Sequence, residues 1–184
     1  ICRSLQDTAL VLDAIEGADG LDLDCVDHSF ESPGATSIKG WKVGYSAKVF
    51  DNSENHGHVL DQLKGLGAEL VEVDLPDYPV WPMMVILFAE SACAFDELTR
   101  SNRDDELVEQ GPQAWPNSFR AARLIPAVEY IRAQRLRTLL MRDTAQALAG
   151  VDAFVAPAGD FHSLGITNLT GHPSLVAPCG FAEN

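Results

Sequence analysis

The chain has 184 residues, of which 46% are hydrophobic and 22% charged, a composition typical of a folded globular protein and not of a disordered one. Its 27 acidic and 13 basic side chains give a formal net charge of −14, which repels nucleic acid phosphates and anionic membrane surfaces and disfavours direct nucleic acid binding. The longest uncharged apolar stretch, residues 79–89, contains two prolines and is shorter than the ~20 residues of a membrane-spanning helix, so no membrane segment is predicted.

The first predicted element is a helix over residues 5–16. Ser4 supplies a hydroxyl for the unpaired amides of the first turn, Asp7 places a carboxylate at its positive end, and apolar residues recur at helical spacing until Gly17. Residues 17–38 carry several acidic side chains among glycine, serine and proline without a sustained period. They should form an exposed connection.

A strand, helix and strand follow over about residues 41–74. The pattern predicts a strand at 41–45, an amphipathic helix at 54–66 and a second strand at 68–73, which together form a βαβ unit. Such a crossover is right-handed, and parallel strands of this kind usually lie inside a sheet covered by helices.

A helical region is predicted over about residues 83–149. One apolar stripe indicates a long helix over 83–100, and a turn or short helix follows at 104–110. Pro126 suits the first turn of a further helix that runs to about residue 149.

The segment over about residues 151–181 is the richest in local signals. Strands are predicted at 152–156 and 175–177, and small hydroxylated residues, a glycine and a proline indicate a rigid turn at 167–172. This turn either feeds a buried strand or forms the wall of a pocket, and the residues alone leave both interpretations open.

The four cysteines are far apart and form no Cys-x-x-Cys pair, which indicates free thiols in a reducing compartment and predicts a cytoplasmic protein. Because the first residue is Ile1 and not methionine, we expect that the sequence does not begin at a native start. The cysteines are Cys2, Cys25, Cys93 and Cys179.

Histidines suggest two weak candidate sites. His56 and His58 could hold a metal ion with Asp61, but solvated polar residues at a helix start are the favoured explanation. Cys179 and His172 could form a thiol nucleophile and its base, but they lie seven positions apart without a local signature. No glycine-rich phosphate loop, Gly-x-Ser-x-Gly or His-Glu-x-x-His motif occurs, so no catalytic residue, metal ligand or cofactor is predicted.

Six arginines lie between residues 120 and 142, where Glu129 is the only acidic residue, so the local charge is 6 − 1 = +5. They could bind an anion or an acidic partner, but a solvated face that pairs with the acidic majority is favoured. Trp81 and Trp115, each followed by proline, are predicted to anchor the core beside turns.

Several stretches taken together resemble the amidase signature family, which contains fatty-acid, peptide and aromatic amidases and the amidase-like subunit of glutamyl-tRNA(Gln) amidotransferase. The resemblance implies an α/β fold, a mixed sheet with covering helices, of which residues 1–184 form an incomplete C-terminal part. The matching stretches follow the order of the family: ICRSLQDTALVLDAIEG (1–17), KGWKVGY (39–45), LGAELVEVDLPD (66–77), AVEYIRAQRLR (127–137), VDAFVAPA (151–158) and NLTGHPSLVAPCGF (168–181).

In that family a serine, a second serine with a cis peptide bond and a lysine cleave the amide, and the resemblance places all three ahead of Ile1. The chain is therefore expected to be inactive alone and to supply the scaffold and substrate pocket of a parent enzyme that acts on a small amide. Self-association is expected because an opened sheet exposes its edges. The expected substrate-binding residues are Thr167, Asn168, Thr170, Gly171 and His172.

Position 161 bears on the substrate. In glutamyl-tRNA(Gln) amidotransferase, an Asp shortly before the Asn-Leu-x-Gly-x-Pro turn holds the glutamine amino group, and Phe161 occupies that position here, beside Asp160. The resemblance therefore favours a hydrolytic amidase over a glutamine-dependent transamidase, which stays the alternative. A noncatalytic module that binds a partner protein through the arginines is the hypothesis from a different class.

Overall fold

The computed structural model describes residues 1–27, 30, 37–51 and 57–180. These residues form three strands and a set of helices, which confirms the α/β class. The elements are α1 (Leu5–Ile15), β1 (Lys42–Tyr45), α2 (Ala47–Asp51), α3 (Gly57–Gly65), β2 (Glu69–Glu72), α4 (Val80–Met83), α5 (Val85–Ala94), α6 (Asp96–Arg100), a 3-10 helix (Arg103–Glu106), α7 (Trp115–Ala122), α8 (Ala127–Leu148), β3 (Ala153–Val155) and α9 (Phe161–Thr170).

Helix α1 begins as the sequence predicts. The Ser4 hydroxyl accepts a hydrogen bond from the backbone N–H of Asp7 at 3.1 Å, and the chain turns away at Gly17, which has a φ of 98°. None of the residues of α1 is buried, so its apolar side is exposed. Within the described parts of the chain, every helix is too short or too polar to cross a lipid bilayer.

Strand β1 lies between β2 and β3. Val43 is paired with Leu70 on one side and with Ala153 on the other, and both pairings are parallel. The predicted βαβ unit has parallel strands, and every described pairing is parallel, because helices return the chain to the same end of the sheet before β2 and again before β3. The mixed sheet that the resemblance implies refers to the complete fold, of which these three strands are one part. Of the helix predicted over 54–66, residues 54–56 lie outside the described residues.

The single helix predicted over 83–100 is wrong, because three short helices, α4, α5 and α6, occupy this region. Met84 separates α4 from α5, and its backbone N–H donates to the Trp81 carbonyl three residues earlier at 3.1 Å, which is a tighter turn than that of an α-helix. A second break falls at Phe95, where φ is −104° and ψ is 24°. The Phe95 ring stacks on Phe119 of α7 with 5.0 Å between centroids, so a contact between helices coincides with the break.

The largest cluster of buried side chains joins α4, α5, α8 and α9. Helix α8 contributes Ala133 and Leu140, of which Leu140 has no exposed surface. Ile166 of α9 is equally buried, so α9 is held against α8 by apolar contacts of the kind that dominate folding. The six buried members are Met83, Ile86, Ala133, Leu140, Ile166 and Leu169.

The last described segment differs most from its prediction. In place of a turn at 167–172, helix α9 continues to Thr170 and ends on Gly171, whose φ of 76° forms the left-handed C-terminal turn. The strand predicted at 175–177 is wrong for the described chain, because it pairs with none of the three strands, and Leu175 and Val176 are exposed. The segment contacts the rest of the protein near its end, where His58 Nε2 lies 2.9 Å from the Cys179 carbonyl oxygen.

Candidate functional site

A groove of about 720 Å³ lies between residues 77–90 and α9. Its volume falls within the range of about 300–1,000 Å³ that is usual for small-molecule sites. Helix α8 contributes Arg137 at one side. The lining residues are Asp77, Tyr78, Pro79, Val80, Trp81, Pro82, Met84, Ile86, Leu87, Glu90, Arg137, Phe161, His162, Leu164, Gly165, Asn168 and Leu169.

The two walls of the groove meet where Gly165 of α9 lies against Val80 of α4. A Cβ atom at position 165 would lie 2.3 Å from Val80 Cγ1, which is far inside van der Waals contact. Glycine therefore allows this approach of the two helices, although it is an unfavourable residue for a helix interior. The absence of a side chain at Gly165 therefore allows α9 to pack closely against α4.

A chain of polar contacts joins α5, α8 and α9 beside the groove. Glu90 Oε1 accepts hydrogen bonds from the Tyr130 hydroxyl at 2.9 Å and from Gln134 Nε2 at 3.0 Å. Arg137 Nη1 donates to Gln134 Oε1 at 3.4 Å, and Arg137 Nε donates to the Leu169 carbonyl at 2.6 Å. Because that carbonyl lies in the last turn of α9, the guanidinium caps the negative end of the helix.

Tyr78 and Asp143 form a second polar contact at the groove. The Tyr78 hydroxyl donates to Asp143 Oδ2 at 2.6 Å, and Arg142 donates to Oδ1 of the same carboxylate at 2.8 Å. The hydrogen bond to Asp143 raises the pKa of Tyr78, because an ionised phenol would lose it and face a carboxylate. The hydrogen bonds from Tyr78 and then from Arg142 lower the pKa of Asp143 below its ordinary value.

These shifts predict how the contact responds to pH. The lowered Asp143 pKa stabilises the folded state above the ordinary carboxyl pKa of ~4, and this is lost as pH falls through the folded value. The raised Tyr78 pKa stabilises the folded state at pH values below the ordinary tyrosine pKa of ~10. This stabilisation is lost as pH rises through the pKa of Tyr78 in the folded protein. We expect Asp143→Asn to bring the Tyr78 titration down towards ~10, measured by tyrosinate absorbance with Tyr78→Phe subtracted. The control variant Tyr45→Phe should leave the Tyr78 pKa raised. An unchanged Tyr78 titration in Asp143→Asn would contradict the assignment of the shift to Asp143.

The rim of the groove carries large exposed apolar side chains. Trp81 is 78% exposed and Phe161 is 76% exposed. The prediction that Trp81 anchors the core is therefore wrong, because the side chain lines the groove and is mostly exposed. Trp115 is 48% exposed and stacks on the buried Phe119 with 5.6 Å between ring centroids.

Of the five predicted substrate-binding residues, one lines the groove and four lie outside its lining. Asn168 lines the groove, and its Nδ2 donates to the Leu164 carbonyl at 2.8 Å. Thr167, Thr170, Gly171 and His172 belong to the end of α9 and to the turn after it, outside the groove lining.

Thr170 and His172 form a hydroxyl–imidazole pair at the end of α9. Thr170 Oγ1 lies 2.7 Å from His172 Nδ1 and 2.8 Å from the Ile166 carbonyl oxygen. Since a carbonyl only accepts, the hydroxyl donates to Ile166 and accepts from Nδ1–H of His172. The hydroxyl proton is therefore directed away from the imidazole, and this pair is a structural clasp and not an activated nucleophile.

The remaining candidates lie away from the groove. His56 lies outside the described residues, and His58 contacts the Cys179 backbone, so His58 is not oriented by Asp61. Cys179 and His172 make no contact with each other among the described hydrogen bonds, and the four cysteines are free and exposed. No cluster of three or more potential metal ligands occurs in the described ranges.

The arginine-rich stretch is largely paired within the protein. Arg120 contacts Asp104 and Asp105, Arg123 contacts Asp96, Arg132 contacts Glu129, and Arg142 contacts Asp143. Only Arg135 is without a recorded partner among the described residues. This pairing fits the interpretation of a solvated, charge-compensated face.

A sequence profile described as "Amidase" matches residues 1–177. The chain belongs to the amidase family. Two curated relatives illustrate the range: a glutamyl-tRNA(Gln) amidotransferase subunit of Akkermansia muciniphila is 29% identical and covers 97% of this chain, and an amidase of Pseudomonas putida is 28% identical and covers all of it. This amidase-family chain spans 48% and 46% of their lengths, about half of each.

Solved structures show the same fold. A bacterial aryl acylamidase of the amidase signature family superposes with a TM-score of 0.70 at 20% identity, over 93% of this chain and 44% of that one. A chain from a vestigial protein complex, described as revealing the origins of an s-triazine catabolic enzyme, gives a TM-score of 0.59 at 25% identity, over 82% of this chain and 33% of that one. The amidase signature fold is therefore shown, in part, for this chain.

Sequence reasoning missed the wall formed by residues 77–82. The prolines and Trp81 indicated a turn over a core, and nothing in the local pattern distinguishes a tryptophan beneath a turn from one beside a groove. For α9 a signal was present, because Asp160 and Gly171 are typical capping residues at the two ends of a helix.

Proposed function

We propose that this chain forms the substrate-binding part of an amidase that hydrolyses the C–N bond of a small carboxamide. The observation that carries the proposal is the groove. One wall is formed by residues 77–90, which include α4, and the other is α9, which contains the start of the Asn-Leu-Thr-Gly-His-Pro stretch. Both walls belong to residues that match the amidase family.

We propose that this chain binds the substrate and that the catalytic residues belong to another part of the family fold. Hydrolysis adds water across the amide to give a carboxylic acid and an amine, and it needs a nucleophile, a proton acceptor and oxyanion donors. The two buried hydroxyls of α9 each donate a hydrogen bond within the protein, Ser163 to Asp160 and Thr170 to the Ile166 carbonyl. We assign the serines and lysine of the reaction to the part of the family fold outside this sequence, so the chain alone should be inactive.

Within the site, Asn168 is the residue that we assign to direct substrate contact. Its Oδ1 has no recorded partner among the described residues, so the amide can accept a hydrogen bond from a substrate N–H. Thr167, Thr170, Gly171 and His172 keep their proposed place in the substrate region, with Thr170 and His172 holding the end of α9.

Glutamine-dependent transamidation is the second candidate, since several relatives bear the name of a glutamyl-tRNA(Gln) amidotransferase. The groove gives it less support, because Phe161 occupies the position at which the resemblance places the carboxylate that holds the glutamine amino group. The partner-binding hypothesis is weakened by the internal pairing of the arginines.

Self-association of the isolated chain and a cytoplasmic location also stay proposals. The exposed apolar side of α1 supports the first, and the four free cysteines support the second. Light scattering at increasing concentration checks the oligomeric state, and a strictly monomeric chain would contradict self-association.

The function is tested with a chimera in which residues 1–177 replace the matching part of the Pseudomonas putida amidase. We expect the folded chimera to release 4-nitroaniline from 4-nitroacetanilide and the isolated chain to release none. Asn168→Ala in the chimera should lower kcat/KM by about tenfold, the loss expected for one hydrogen bond. Arg135→Ala, on the exposed face of α8, is the control without an expected effect.

Two outcomes contradict the proposal. A chimera with a native-like circular dichroism spectrum that hydrolyses no anilide would show that the groove does not serve amide hydrolysis. Labelling of the isolated chain by a fluorophosphonate would show a reactive hydroxyl within this sequence. The labelling result stands whether or not the chimera folds.

A further inference from the structure

We propose that the groove between residues 77–90 and α9 recognises amides that also carry an ammonium group, and that Glu90 supplies the counter-charge for that group. This inference rests on the proposed function and names the substrate class of the same site. It is carried by the hydrogen-bonding capacity that the lining of the groove leaves unused, which consists mainly of acceptors.

Helix α5 places Glu90 in the groove. Ile86 and Leu87 lie four and three positions before Glu90, so the three residues share one face of the helix, and all three line the groove. Glu90 Oε1 accepts hydrogen bonds from the Tyr130 hydroxyl at 2.9 Å and from Gln134 Nε2 at 3.0 Å. These neutral donors fix the carboxylate without cancelling its charge. No partner of Oε2 is recorded among the residues that the structure describes, so this oxygen can accept from a ligand.

Two other polar side chains of the lining use their donors within the protein and keep acceptors open. The Tyr78 hydroxyl donates to Asp143 at 2.6 Å, and Asn168 Nδ2 donates to the Leu164 carbonyl at 2.8 Å. Among the described hydrogen bonds, the Tyr78 oxygen and Asn168 Oδ1 accept none. A ligand therefore meets a groove rich in acceptors, which suits an ammonium because it has three N–H donors and no acceptor.

Arg137 is the guanidinium of the lining, and it is engaged at the end of α9. Its Nε donates to the Leu169 carbonyl at 2.6 Å, and its Nη1 donates to Gln134 Oε1 at 3.4 Å. The residue four positions after Leu169 is Pro173, which has no N–H, so Arg137 replaces the missing helix donor. No ion pair between Arg137 and Glu90 occurs in the described part of the chain, so the Glu90 charge stays available.

The charge balance of the lining favours a cation. Two carboxylates, Asp77 and Glu90, and one guanidinium line the groove, which leaves one net negative charge when His162 is neutral. Neither carboxylate has an ion-pair partner within the described ranges. Both are exposed, so water screens them and the expected preference for a cation is moderate. The formal net charge of −14 acts in the same direction.

Aromatic rings complete the recognition of such a ligand. Tyr78, Trp81 and Phe161 line the groove, and the last two are mostly exposed. The faces of aromatic rings carry partial negative charge and attract ammonium groups, whereas their apolar surface covers the hydrocarbon part of a ligand. An amide that carries an ammonium on an aromatic or aliphatic body therefore finds a partner for each of its parts.

The test compares three ligands that differ in one group. 4-(Aminomethyl)benzamide carries an ammonium at about pH 7, 4-ethylbenzamide has a methyl group in its place, and 4-carbamoylphenylacetate has a carboxylate. Isothermal titration calorimetry measures their binding to the unmodified 184-residue chain. We expect the ammonium ligand to bind about tenfold more tightly than 4-ethylbenzamide, and the carboxylate ligand to bind more weakly than either.

Glu90→Gln is the matched variant, because glutamine keeps an acceptor oxygen for Tyr130 and Gln134 and removes the charge. The preference for the ammonium ligand should fall by at least about threefold. The affinity for 4-ethylbenzamide should not change, which reports an intact groove. The control Glu97→Gln removes the same charge from an exposed position of α6 outside the lining and should keep the preference.

Ionic strength tests the role of charge without a substitution. Raising the salt concentration from about 0.02 M to about 0.5 M should reduce the preference of the unmodified chain for the ammonium ligand, because exposed charges are screened. The affinity for the neutral 4-ethylbenzamide should not weaken.

Equal or tighter binding of 4-ethylbenzamide, tighter binding of the carboxylate ligand, or no binding of the ammonium ligand at millimolar concentration would each overturn the inference. A preference that neither Glu90→Gln nor high salt reduces would overturn it as well. An active chimera together with a chain that lacks the ammonium preference would remove the inference and leave the proposed function in place. An inactive chimera together with a clear ammonium preference would do the reverse.

Discussion

Arg120→Met is expected to lower the free energy of unfolding by about 3 kcal/mol, because it leaves the buried Asp104 carboxylate without its counter-ion. Asp104 is 1% exposed, and Arg120 Nη2 lies 2.6 Å from its Oδ2 as an ion pair without hydrogen-bond alignment. The same guanidinium contacts Asp105 at 2.7 Å and so links α7 to the 3-10 helix. Urea unfolding should show a lower midpoint with an unchanged slope.

The matched control is Arg103→Met in the same 3-10 helix. Arg103 contacts Glu106 at 3.9 Å, and both side chains are more than half exposed, so its loss should cost less than about 1 kcal/mol. Adding Asp104→Asn to Arg120→Met should recover part of the stability, because no buried charge remains. If Arg120→Met were no more harmful than Arg103→Met, burial of the Asp104 charge would not be the cause.

Gly165→Ala is expected to destabilise the protein by about 1–3 kcal/mol, although alanine is the better residue for a helix. The new methyl group would enter the space of Val80 Cγ1, and the β-branched valine has few rotamers in which to avoid it. Helix α9 would move away from α4, and the groove between them would widen. Thermal unfolding checks the stability, and the Trp81 fluorescence reports the change in the groove.

A second substitution makes this prediction specific. Val80→Ala removes Val80 Cγ1, the atom with which the new methyl group clashes. The double variant Gly165→Ala, Val80→Ala should therefore be more stable than expected from adding the effects of the two single substitutions. Gly150→Ala places a methyl group where no atom lies within 4 Å and should be nearly neutral. Purely additive effects of the two substitutions would show that the clash with Val80 is not responsible.

The sequence predicted the helices whose ends and buried sides depend on neighbouring residues. Helix α1 follows from Ser4 and Asp7, and α8 follows from Pro126 and the apolar period after it, and the structure confirms both. The long helix over 83–100 failed because its breaks depend on partners distant in sequence, such as the stacking of Phe95 on Phe119. A single stripe of apolar residues does not contain that information.

The site was predicted in outline and not in detail. Asn168 was identified because it lies in a distinctive stretch, whereas Trp81 was assigned to the core because burial of a tryptophan depends on what covers it. The small residues of 167–172 suggested a turn, whereas they form the last turn of α9 and its cap at Gly171, and the close contact of Gly165 with Val80 was not predicted.

The hydrogen bond from Arg137 to the Leu169 carbonyl has a mechanical consequence. It ties the last turn of α9 to α8, while Gly165 seats an earlier turn of α9 on α4. A ligand that forced the walls apart would have to stretch a 2.6 Å contact at one end and slide a helix at the other. Two turns of α9 are therefore fixed against neighbouring helices, and we expect the groove to bind ligands that fit its existing shape.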